Sequence, residues 1–197
     1  MRRLGGLLIL FLVLLAGCAG VKDEGSTISI KPHSLSEEEE ILISKTGVDG
    51  IQFFKLDGTL EEVEDLQFAM EIYKDGKLVD DRVYTHGQVE KEFDQALISY
   101  GIDRQDNKIT FLNGIINGLI EQTEDVDGVQ ASSFTTLLNE KKKLVKDEAV
   151  YLTAWVGTSE NGMEAVSINE DGALSDDIES AEIGYVFKVT LTDYGKE

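Results

Sequence analysis

The stretch from Ile183 to Thr192 alternates so regularly that it fits only an extended strand. Ile183, Tyr185, Phe187, Val189 and Leu191 fall on one side, with Gly184, Lys188, Thr190 and Thr192 mostly on the other. A second run behaves alike: Leu66, Phe68, Met70 and Ile72 alternate with Gln67, Ala69, Glu71 and Tyr73. It meets Lys74-Asp75-Gly76-Lys77 and resumes as Leu78 to Tyr84. Asp-Gly between two such runs predicts a hairpin, because both turn residues must accept positive φ.

Similar short runs occupy Ile51 to Leu56, Ala96 to Ile102, Lys108 to Leu112, Ala131 to Leu138 and Ala149 to Gly157. About eight strands joined by Gly, Asp and Asn turns predict a mainly β chain, built as a single antiparallel β-sandwich, immunoglobulin-like in broad architecture. Residues 113–128 fit a helical face as well as a strand, since Ile115, Ile116, Leu119 and Ile120 satisfy both periods. No internal repeat or Gly/Ser-rich linker divides the body, so residues 36–197 form one domain.

One short helix precedes the strands. Ser36 is followed three residues later by Glu39, the capping-box spacing, and Glu37 to Glu40 place negative charge at the positive end of the helix dipole. The helix should end by Thr46-Gly47. Four consecutive glutamates could hold a cation, but a solvated helix start explains them better.

The N-terminus gives an address. Arg2 and Arg3 precede an unbroken apolar run from Leu7 to Leu15, too short for a comfortable membrane span, and the run exits through Leu15-Ala16-Gly17-Cys18. Residues 1–17 therefore read as a signal peptide. Residues 18–35, small and polar with the only proline at Pro32, read as a flexible tether.

Charge and composition exclude several classes of function. The chain has 197 residues with 38 acidic and 18 basic side chains, a formal charge of −20. Because the leader carries Arg2 and Arg3 and no acid, its removal takes this to −22. Such a chain is repelled by nucleic acid. The one basic run, Lys141-Lys142-Lys143, lies among acids and reads as a solvated turn. A single cysteine permits no intrachain disulfide and no cysteine-based zinc site.

Candidate chemistry is sparse. The two histidines, His33 and His86, fall in the tether and just past a strand, and the nearest approach to a serine-nucleophile motif, Gly157 to Gly162, breaks its spacing. No phosphate-cradling glycine motif occurs, and no cofactor is expected. Calcium favours carboxylate and carbonyl oxygens, which collect at Asp103 to Asn107, Glu124 to Gly128, Asn169 to Gly172, and Asp176-Asp177 with Glu179. Turns gather the same residues for backbone reasons, so weak divalent-cation binding is the secondary expectation. A cell-wall hydrolase using paired carboxylates ranks third, since among so many acids some pair meets the required separation by chance. Trp155, the lone tryptophan, alternates with Leu152, Ala154 and Val156 in a manner consistent with core packing.

Leu15, Ala16, Gly17 and Cys18 resemble a lipobox. Together with the Ser-Glu-Glu-Glu helix start, the strand-Asp-Gly-strand unit and the strand Tyr151-Leu152-Thr153-Ala154-Trp155-Val156, they resemble uncharacterised surface lipoproteins of Gram-positive bacteria. That resemblance implies lipid attachment at Cys18 and a location on the extracytoplasmic face of the cell membrane, anchored without spanning it. It implies no catalytic residue. The expectation is a non-enzymatic binding module whose partners are the membrane, through its lipid, and an envelope protein or glycan.

Overall fold

The computed structural model describes residues 26–85, 87, 90–116 and 118–195. The expected leader, the expected lipobox with Cys18, and His86 lie outside the described residues.

Among the described residues, eleven strands form two antiparallel sheets: β1 (Ser29–His33), β2 (Gly50–Thr59), β3 (Glu64–Lys74), β4 (Lys77–Thr85), β5 (Glu92–Gln105), β6 (Lys108–Ile115), β7 (Gly118–Asp125), β8 (Ala131–Thr136), β9 (Lys142–Lys143), β10 (Ala149–Thr158) and β11 (Ile183–Asp193). One sheet runs β7-β6-β5-β2-β1-β9 and the other β4-β3-β11-β10-β8. They pack face to face as the expected β-sandwich. All eight expected strands are present, and residues 118–125, where the sequence admitted helix or strand, extend the first sheet as β7.

The alternation of β3 and β11 survives in space. Phe68, Met70, Ile72, Tyr185, Phe187, Val189 and Leu191 are buried between the sheets, in register across the β3–β11 pair from Lys74–Ile183 to Glu64–Asp193. The opposing sheet contributes Phe54, Leu56, Ile98, Tyr100, Ile109 and Phe111. Trp155 is 1 % exposed and packs against Tyr185 at 5.8 Å between ring centroids, which settles it as a core residue.

A second apolar cluster covers the outer face of β10 and β11. The excursion between those strands folds back so that Val166, Ile178 and Ala181 bury Ala154, Val156 and Val186. Its short 3-10 helix, Asp176–Ser180, is followed by residues that dock on the β3–β4 hairpin: the Asp75 and Gly76 amides donate to the Glu182 and Ala181 carbonyls. Gly76 is required there. Its φ is +71° and a Cβ would approach the Glu179 carbonyl oxygen to 2.5 Å.

One expectation is corrected. The sequence reads residues 18–35 as a tether, but residues 26–35 belong to the fold: Ile28 and Ile30 are fully buried, and β1 lies between β2 and β9. Two alternating isoleucines among Ser, Thr and Lys give too little pattern to reveal a strand. Pro32 is tolerated because β9 pairs only with Ser29 and Ile30, so no partner strand lies beside it on that side. Lys142 and Lys143 likewise form a short strand, with both side chains exposed.

Candidate functional site

Helix α1 (Glu37–Ile43) follows β1 and forms as its sequence predicts. The Ser36 hydroxyl accepts from the Glu39 amide, and Glu39 Oε2 accepts from the Ser36 amide at 2.8 Å. Hydrogen bonds from the Ser36 amide and the Ser36 hydroxyl to Oε2 hold the Glu39 carboxyl below the usual glutamate range. No residue of α1 is buried, and Ile41 and Leu42 face solvent. Its stability is therefore local.

Between α1, the end of β1, the start of β2 and the chain leaving β8 lies a groove of about 650 Å³. Leu35, Ile43, Ile51 and Phe53 supply apolar surface, while Gln52 and Asn139 supply amides able both to donate and to accept. Gly50, at the groove, lets Phe134 of β8 pack closely on the start of β2, since a Cβ there would meet the ring at 3.0 Å. A smaller hollow of about 380 Å³ lies beyond Leu138 and Asn139, bounded by Lys142 and residues 168–172. The β8–β9 connection is thus a partition between two depressions. Mixed apolar and amide lining suits recognition of a polymer segment.

The acidic loops do not join this groove, apart from Asn169 to Gly172, which border the smaller hollow. Asp103 to Asn107 contain the β5–β6 turn, with Asp106 at φ 53°. Glu124 is taken by Arg82 at 2.6 Å and by Gln122, and Asp125 lies 3.8 Å from Lys108. Asp171 accepts from the Ala173 amide, and Asp177 from the Ser175 hydroxyl. Among the described residues no three His, Cys, Asp or Glu side chains gather to hold a metal ion. His33 reaches the groove from the end of β1.

Sequence reasoning did not single out the most concentrated charge cluster. On the outer face of the second sheet, Lys188 Nζ donates to Glu71 at 2.6 Å and to Asp81 at 2.7 Å. The Tyr73 and Tyr151 hydroxyls donate to the same Glu71 carboxylate. Burial alone would lower the Lys188 pKa, but its hydrogen bonds to Asp81 and Glu71 and their charges outweigh that and raise it. The amine is held protonated and is no nucleophile at neutral pH. Both phenols are pushed up as well, first by burial and then by the Glu71 charge and hydrogen bonds, Tyr151 to about 12. The signal was present in sequence: Glu71 and Lys188 are lone charges between large apolar residues of two strands.

A family model described as YgaN domain matches residues 29–191, from the first residue of β1 almost to the end of β11. No curated protein and no solved structure matches the chain.

Proposed function

The chain belongs to the YgaN domain family, and we propose that it is a lipid-anchored, non-enzymatic binding module on the extracytoplasmic face of the bacterial membrane, in the manner of Gram-positive surface lipoproteins. The groove bounded by α1, β1 and β2 is its contact surface for an envelope protein or glycan.

The direction of β1 carries this reading. Ser26 bonds to Thr59 at one end of the sandwich, whereas His33 reaches the groove at the other end of the same strand. Seven residue steps, the last four of them along β1, separate the two by at most about 23 Å. With the lipid on Cys18, eight further steps allow at most about 28 Å between bilayer and Ser26. The anchor enters one end and the groove opens at the other. A ligand can reach it without competing with the lipid surface, which a formal charge of −22 keeps at a distance if anionic.

The test has two arms. Metabolic labelling with palmitate should mark the wild-type chain and miss Cys18→Ser; equal labelling would remove the anchor. A photo-crosslinking side chain at Gln52 should capture a saturable envelope partner, and the same group at Leu119 should not. Equal or absent capture at both positions would overturn the groove as the contact surface.

A further inference from the structure

The interior of a sandwich is normally apolar, yet four buried polar atoms between these sheets make no hydrogen bond of good geometry among the described residues: Tyr84 Oη, Tyr100 Oη, and Oδ1 and Nδ2 of Asn113. Tyr100 and Asn113 are each 2 % exposed and stand directly opposite one another on β5 and β6. Tyr84 comes from the other sheet. Its ring stacks on Phe187 with centroids 6.1 Å apart, while the Tyr100 ring meets the same Phe187 at 4.9 Å. Burial is the main cause that raises the Tyr84 pKa, the Tyr100 phenol adds to it, and a hydrogen-bonding contact with the Asn113 side chain opposes it, so the three polar ends are neighbours.

The sheet edges beside this cluster are unusual too. Arg82 on β4 bonds to Glu124 on β7, joining the outermost strands of the two sheets. Gln122 donates to the same carboxylate. Arg82 and Tyr84 lie two apart on β4, and Ile120, paired with Asn113, precedes Gln122 and Glu124 at the same two-residue spacing. The polar lining thus runs from the ion pair at the edge to the phenols and amide inside.

A buried polar atom left without a well-formed hydrogen bond is costly. Four of them in one place are a strong attractor for a guest that donates and accepts. We propose that Tyr84, Tyr100 and Asn113 form an internal binding site for a neutral hydroxyl group, entered between β4 and β7 where Arg82 and Glu124 close the mouth. Neutrality follows from the surroundings: the aromatic walls give a charge nothing to pair with, and Glu124 repels anions. The hydroxyl can belong to water or to the end of an alcohol or sugar.

The two sources are distinguished by NMR on the intact chain in detergent, using glycerol as the alcohol probe. A long-lived water cross-peak to the Asn113 side-chain amide, unchanged by glycerol, identifies water. Its replacement by saturable glycerol cross-peaks identifies the alcohol. Tyr100→Phe, which deletes only one oxygen, should weaken or abolish either signal. Arg82→Met should speed guest exchange, by about fivefold at most, the factor an exposed ion pair supplies. Absence of any hydroxyl cross-peak in the wild type, with and without glycerol, overturns the site, and so does a signal indifferent to Tyr100→Phe. These readouts involve neither Cys18 nor the groove, so they stand or fall separately from the proposed anchor and contact surface.

Discussion

Lys188 Nζ lies 2.6 Å from Oε1 of Glu71, and both side chains are about nine-tenths removed from solvent. The pair joins β11 to β3 on the face opposite the main core, with Asp81 of β4 as a second, half-exposed acceptor. Lys188→Met would leave the Glu71 carboxylate buried with only tyrosine hydroxyls to stabilise it. The expected loss is about 3 kcal/mol in urea unfolding. Adding Glu71→Leu should recover most of it, because the stranded charge is then gone; a double variant as unstable as the single would contradict this account.

The same cluster sets a limit on alkaline stability. The folded Lys188 pKa is raised above the ordinary lysine value of about 10.4. Its contribution is therefore complete below that pH and is lost as pH rises through the folded value. Tyr151, pushed up to about 12, acts in the same sense from about pH 10 upward. Unfolding midpoints should hold up to about pH 10 and fall beyond it. The steepness of the fall should be reduced in Tyr151→Phe, and an unaltered slope would contradict the assignment.

Gly76→Ala combines two penalties, a positive φ and a carbonyl contact at 2.5 Å, whereas Gly47, at φ +81°, has no atom within 4 Å of a built Cβ. Gly47→Ala should cost about 1–2 kcal/mol locally. Gly76→Ala should cost more, and should also release the 176–182 segment, read as faster amide exchange at Asp75 and Gly76. Equal costs at the two glycines would show that the docking contact contributes nothing.

Ser36→Ala should loosen α1 without unfolding the sandwich, since the helix buries nothing. Amide exchange at Glu39 and Glu40 should quicken while the global urea midpoint stays put. Because the folded Glu39 pKa is lowered, the wild-type helix should be protected above about pH 4.3 and lose that protection as pH falls through the folded value. A midpoint displaced by Ser36→Ala would mean that α1 is coupled to the core after all.

How much of this was legible depends on whether an inward face is apolar. β11 and β3 announce themselves because each second residue is large and buried, and Asp75-Gly76 fixes the turn after β3. β7 does not, because Ile120, Gln122 and Glu124 give its half-buried face two polar residues out of three. The feature that hid the strand is the one that lines the mouth between the sheets. β1 stayed hidden behind Pro32 and a polar composition. The groove is not written in any segment, since Ile43, Phe53 and Asn139 meet only after four chain segments have been placed.

β1 also has a mechanical meaning. It runs lengthwise between β2 and β9, so a force applied at its N-terminal end acts along the strand axis. A pull on the N-terminal end of β1, resisted at the start of β2, loads the β1–β2 hydrogen bonds side by side rather than one after another. Such shear must break many bonds together, while peeling would break them in turn. A domain pulled from its N-terminal end can bear tension along β1, and should give way in force spectroscopy as a single abrupt event.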